Sequence, residues 1–131
     1  MATVTTKLSI TSTDLLSQSL NLSVNKSISA THTTGLARAA VTSTDQATAS
    51  GQVTLYTASD YVAGSYLYVK NIDSTATDYI YVYADDSADS TILRLGGGEF
   101  AIMPLNAGVS FKAFTATSGT VVEFMVFGTE A

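Results

Sequence analysis

Two short runs, Tyr66–Leu67–Tyr68–Val69–Lys70–Asn71–Ile72 and Tyr79–Ile80–Tyr81–Val82–Tyr83, alternate tyrosine with aliphatic residues at every second position. A period of two is the strand period, because successive side chains of an extended chain point to opposite faces. Both faces of each run are apolar, so neither is simply the wet side of a lone sheet. One face must cover a core, and the tyrosine face must cover something else.

The same period recurs upstream. Val4, Leu8 and Ile10 fall on even positions, as do Leu20, Leu22, Val24, Ile28 and Ala30, with Ser, Asn and Thr on most odd positions. These are two half-buried strands. Further strands are expected over Leu36–Val41, from Val53 and Leu55, over Ile92–Leu95, Glu99–Met103, Val109–Phe114 and Val121–Phe127. Thr42–Gln52 reads as a loop, Asn106–Ala107–Gly108 and Ser118–Gly119 as turns. Only Thr13–Asp14–Leu15–Leu16 could hold a helical turn. Strands at this spacing imply an all-β, antiparallel β-sandwich, jelly-roll-like or Ig-like. No linker interrupts the pattern, so residues 1–131 read as one domain with an extended N-terminal segment over residues 1–12.

All seven tyrosines lie between Tyr56 and Tyr83, and all five phenylalanines between Phe100 and Phe127. One core, with aliphatic N-terminal strands packed on a Phe-rich C-terminal sheet, accounts for this segregation. The tyrosine runs read as a hairpin around Asp73–Ser74–Thr75–Ala76. Its register pairs Tyr68 with Tyr81, Tyr66 with Tyr83, and Val69 with Ile80. A slip of one residue would mix the faces. The hairpin sends Leu67, Val69, Ile80 and Val82 inward and gathers Tyr66, Tyr68, Tyr79, Tyr81 and Tyr83 on one outer face. Tyrosine gives large contact area at small entropic cost, which suits an interface. The competing reading is an ordinary outer sheet with its hydroxyls in water.

Charge restricts the partners. The net charge is −5, and the six cations, Lys7, Lys26, Arg38, Lys70, Arg94 and Lys112, are scattered. Binding a phosphate backbone needs clustered cations, so nucleic acid is not an expected partner. Only 13% of residues are charged. Residues 1–55 supply polarity through twelve Thr and nine Ser, which suits a protein packed against neighbours or one that lives outside the cell, and a plain sandwich of Thr-rich strands would look similar. No apolar run approaches the ~18 residues of a membrane span. No signal peptide is expected from the N-terminal residues, which points to synthesis in the cytoplasm.

The residues offer little chemistry. Cysteine is absent, which removes disulfides, thiolate metal sites and cysteine nucleophiles. His32 is the single histidine and reads as an exposed loop residue; no Gly-x-Ser-x-Gly elbow accompanies it. Asp85, Asp86 and Asp89 form a candidate Ca²⁺ loop, since calcium takes oxygen ligands, but the EF-hand glycine and distal glutamate are missing. A solvated turn explains the same residues. Paired carboxylates for glycoside hydrolysis find no tryptophan to hold a sugar. Gly96–Gly97–Gly98 lacks the Lys-Ser/Thr of a phosphate loop and reads as a tight turn needing glycine's backbone freedom. No enzyme and no cofactor are expected.

The segment Tyr66–Thr75, the run Asp78–Tyr83 and the stretch Thr91–Leu105, with its Gly-Gly-Gly-Glu turn and Met103–Pro104–Leu105 ending, resemble small structural proteins of tailed bacteriophages. Lys7–Val24 resembles the start of capsid decoration, or cement, proteins of marine and cyanobacterial phages. The resemblance implies a non-enzymatic sandwich on the outer surface of the virion. Its expected partners would be the major capsid protein, whose subunits it bridges, and itself, as a homotrimer rather than a dimer, with no membrane. A carbohydrate- or receptor-binding module of a fibre, neck or tail is the alternative.

Overall fold

The computed structural model describes residues 1–61, 64–86, 90–106 and 108–129. The chain divides into two compact units, Met1–Thr31 and His32–Ala131. The sequence reading drew no boundary there.

The first unit is a two-stranded antiparallel ribbon of β1 (Ala2–Ser12) and β2 (Leu20–Ala30). Its register pairs Val4 with Ile28, Leu8 with Val24 and Ile10 with Leu22. Directly opposed residues share a face, so every even position falls on one side and every Thr, Ser and Asn at an odd position on the other. Among the described residues, the two strands pair only with each other. The expected Phe-rich sheet does not form either: Phe100, Phe124 and Phe127 lie in one sheet of the second unit, and Phe111 and Phe114 in the other. Residues 13–18 between them are bends rather than a helical turn. Ser12 Oγ accepts the backbone N–H of Asp14 and of Leu15, which turns the chain without helix.

The second unit is an antiparallel β-sandwich. One sheet runs β5 (Val53–Tyr56), β10 (Ser110–Thr115), β7 (Ile80–Asp85), β8 (Thr91–Leu95). The other runs β3 (His32–Thr33), β11 (Thr120–Gly128), β6 (Tyr66–Asn71), β9 (Phe100–Pro104), with β4 (Ala37–Val41) also paired to β11. Among the described residues, one 3-10 turn occupies Ala58–Asp60. The core between the sheets holds Leu67, Val69, Ile80, Val82, Val122 and Val126, all fully buried.

The two tyrosine runs do not form the expected hairpin. β6 and β7 belong to different sheets: β6 pairs with β11 and β9, and β7 with β10 and β8. Leu67, Val69, Ile80 and Val82 do point inward, but they come from opposite sheets rather than lying side by side. Residues 72–79 are therefore an arch between sheets, and Asn71 holds it. Its buried Nδ2 donates to the carbonyls of Asp78 at 2.6 Å and Leu95 at 3.0 Å, while Oδ1 accepts the Asp73 N–H at 3.0 Å. The glycine turn lies against this arch. A Cβ on Gly97 would come within 2.5 Å of the Thr75 carbonyl oxygen, and Gly98 has φ +81°. Both positions require glycine, the first for close approach and the second for its left-handed backbone.

Candidate interaction surface

The outer face of the sheet containing β6 is built in three cross-strand rows. Arg38, Glu123, Lys70 and Phe100 stand opposite one another across β4, β11, β6 and β9. Met125, Tyr68 and Ile102 form the next row, and Phe127, Tyr66 and Pro104 the third. Period two places these side chains outward, because their neighbours Leu67, Val69, Val122 and Val126 fill the core.

Glu123 sits at the middle of this face and is 8% exposed. Its Oε2 accepts Arg38 Nε at 2.8 Å and its Oε1 accepts the Tyr68 hydroxyl at 2.9 Å. The Arg38 hydrogen bond, then that of Tyr68, holds the Glu123 carboxyl below the ordinary carboxylate range, against partial desolvation. Burial first, and then the anionic partner, pushes the Tyr68 phenol up. Tyr66 stacks on Phe127, with ring centroids 5.7 Å apart and planes 7° apart. Beside these ordered residues the edge strand β9 exposes Phe100 (63%) and Ile102 (44%). Directly opposed to Lys70 and Tyr68, they leave an apolar margin on an otherwise bonded face.

Tyr79, Tyr81 and Tyr83 lie elsewhere. Tyr81 and Tyr83 face outward from the other sheet, where Phe114 stacks on Tyr81 at 5.0 Å and meets Tyr83 edge-on at 6.0 Å. The Arg94 guanidinium sits 4.6 Å above the Tyr79 ring, a cation–π contact. Tyr83 is buried and donates its hydroxyl to Gln52 Oε1 at 2.7 Å. The five tyrosines thus do not share one face. Tyr66 and Tyr68 lie on β6, Tyr81 and Tyr83 on β7 in the other sheet, and Tyr79 at the end of the arch that precedes β7.

His32 is in β3 opposite Gly128, half-buried, its ring 5.1 Å from that of Tyr61, rather than in an exposed loop. Asp85 ends β7 and pairs with Lys112 Nζ at 2.7 Å. Asp89 lies outside the described residues, and among those described no three His, Cys, Asp or Glu side chains gather in a metal-binding group. No described helix is long and apolar enough to cross a membrane.

Sequence reasoning missed Phe100, Ile102, Glu123 and Arg38 as members of one surface. Phe100–Ala101–Ile102–Met103 is apolar at both parities, which in an edge strand means an apolar outer face. That signal was available. The meeting of Arg38 with Glu123, 85 residues apart in sequence, was not. No family model, curated protein or solved structure matches the chain.

Proposed function

We propose that this chain is a non-enzymatic structural protein of a phage virion, a capsid decoration protein that binds between coat subunits on the outer surface. The observation that carries this reading is the apolar margin of the sandwich: Phe100 and Ile102 exposed on edge strand β9, beside the ordered Tyr68–Glu123–Arg38 cluster. Interface cores are rich in aromatic residues, Met and Arg and poor in unpaired charge, and this face has that composition. Among the described residues strand β9 pairs on one side only, and that edge could accept a strand of a coat subunit. Burial of apolar area at about 25 cal/mol per Å² would then tie neighbouring subunits together against internal pressure.

The test is occupancy of the particle. The chain should be found in purified virions at a copy number comparable to the coat protein, and purified chain should rebind stripped particles. Phe100→Ser with Ile102→Ser should abolish rebinding while the near-ultraviolet circular dichroism of the tyrosines stays native. Absence from purified virions, or undiminished rebinding by the double variant, would count against the proposal.

A further inference from the structure

The sheets of the sandwich end at β5, β8, β9 and the β3–β4 segment. Proteins blunt such edges with bulges, charges and proline, because an open edge invites pairing. β5 shifts register against β10 between Phe111 and Lys112, and β8 against β7 between Val82 and Tyr83. β8 also carries Arg94. The β3–β4 edge is interrupted at residues 34–36 and carries Arg38. β9 has none of these devices over residues 100–103. Its ladder to β6 runs without a shift, and its side chains there are Phe, Ala, Ile and Met. Pro104 ends it.

The bonds at its two ends fix which groups of β9 are free. The Leu105 N–H donates to the Ser65 carbonyl at 2.8 Å, and the Asn71 N–H to the Glu99 carbonyl at 3.0 Å. Antiparallel partners exchange bonds at every second residue, so Ala101 and Met103 bond Val69 and Leu67. The N–H and C=O groups of Phe100 and Ile102 point away from β6, and among the described residues no strand meets them. The same two residues expose their side chains. We infer that β9 takes on one further strand, an extended apolar segment of a different chain that carries a carboxylate, bonded through the backbone of Phe100 and Ile102.

Alternating free N–H and C=O groups select an extended strand, because its repeat matches theirs. On the outer face the added side chains would pack on Phe100 and Ile102, and on the other face beside the half-buried Ala101 and Met103. Both faces of the added strand are therefore apolar. Charge supplies the exception. Lys70 stands directly opposite Phe100, and among the described residues no carboxylate forms an ion pair with it. Glu123, next to it in the row, is taken by Arg38 and Tyr68, and Glu99 is folded back onto the Gly96 N–H at 2.6 Å. The added strand would lie about 10 Å from the Lys70 backbone, two strand spacings, which a lysine and a glutamate span together. A second β9 has no acid over Phe100–Pro104, so a copy is not the complement. The added strand presupposes the coat subunit proposed as partner, and gives the way in which it is held.

Stripped virions are the probe. Binding should slow amide exchange at Phe100 and Ile102 at least ten-fold and leave Ala101 and Met103, bonded already, unchanged. Ile102→Pro removes an outward donor and no ladder bond, a change that edge strands tolerate. It should bind at least ten-fold more weakly than Ile102→Ala, which keeps the donor, with native near-ultraviolet dichroism in both. Met103→Pro strips a ladder bond and should lower the thermal midpoint well below that of Ile102→Pro. Lys70→Gln should weaken binding at least three-fold at low salt. Equal binding by Ile102→Pro and Ile102→Ala, or unprotected Phe100 and Ile102 amides on bound chain, overturns the added strand while the chain still decorates the particle. Undiminished binding by Lys70→Gln overturns its carboxylate. Protection of both amides in a particle-free dimer makes the occupant a second copy and overturns the different chain. Wild-type chain that ignores the particles overturns the coat subunit as partner as well.

Discussion

Tyr68 and Glu123, diagonal neighbours on β6 and β11, are joined by a 2.9 Å hydrogen bond in which the phenol donates to a carboxylate held from its other side by Arg38. The contact fixes a tyrosine on the outer surface of the sandwich, where an unpaired ring would turn freely. It thereby orders the face on which Ile102 and Phe100 lie exposed.

Tyr68→Phe should lower stability by about 1 kcal/mol, the usual net value of a hydrogen bond. Urea unfolding monitored by the remaining tyrosines measures it; no change in midpoint would show that Glu123 is satisfied by Arg38 alone.

The Glu123 carboxyl titrates below its ordinary value in the folded chain. Its contribution is therefore present above the unfolded-state value and is lost as pH falls through the folded one. The stability gap between wild type and Glu123→Gln should be constant near neutrality and close as pH falls below the ordinary carboxylate range, where carboxylates take up protons. Added salt should narrow it little on the Tyr68 side and more on the Arg38 side, where the guanidinium is largely exposed. A gap that widens on acidification would reverse this sign.

Tyr56 and Tyr61 are pushed up by burial first, then by Asp60, and Tyr68 by burial and Glu123. A raised folded value means stability is complete below the unfolded tyrosine value of about 10 and is lost as pH rises beyond it. Absorbance at alkaline pH should show Tyr56, Tyr61 and Tyr68 ionising together with unfolding. Ionisation of all seven in one phase, with dichroism still native, would contradict it.

The Tyr56 and Tyr61 hydroxyls are buried with no hydrogen-bond partner among the described residues. Desolvating a hydroxyl without a partner costs roughly 1–3 kcal/mol, so Tyr56→Phe should raise stability by about 1 kcal/mol. Thermal unfolding decides it, and a lowered midpoint would mean that the hydroxyl is bonded.

Asn71→Ala strips the arch of three hydrogen bonds and takes the Asn71 donor from the half-buried Asp78 and the buried Leu95 carbonyls. A loss of about 3 kcal/mol is expected. Asn71→Asp should be worse near neutral pH, because a carboxylate cannot donate to either carbonyl. Equal stability of the aspartate variant and wild type would remove Asn71 as the clamp between sheets.

Alternation alone determined much of this protein. It located nearly every strand, assigned Leu67, Val69, Ile80 and Val82 to the core, and sorted residues 2–30 into an apolar and a polar face. These follow from the two-residue repeat of an extended chain, a local property. The Gly96–Gly98 turn was legible for the same reason. Partnership was not. The tyrosine runs fit each other as a hairpin as well as they fit β11 and β10, because period two says which face a residue takes and nothing about which strand lies beside it. The choice was made by Asn71, whose amide is satisfied only when the chain arches to the second sheet, and by Gly97, which lets the arch approach the 96–99 turn. That choice divided five tyrosines between two surfaces, brought Arg38 to Glu123, and left Phe100 and Ile102 exposed at a sheet edge. Such contacts join residues distant in sequence, so only the tertiary structure could decide them.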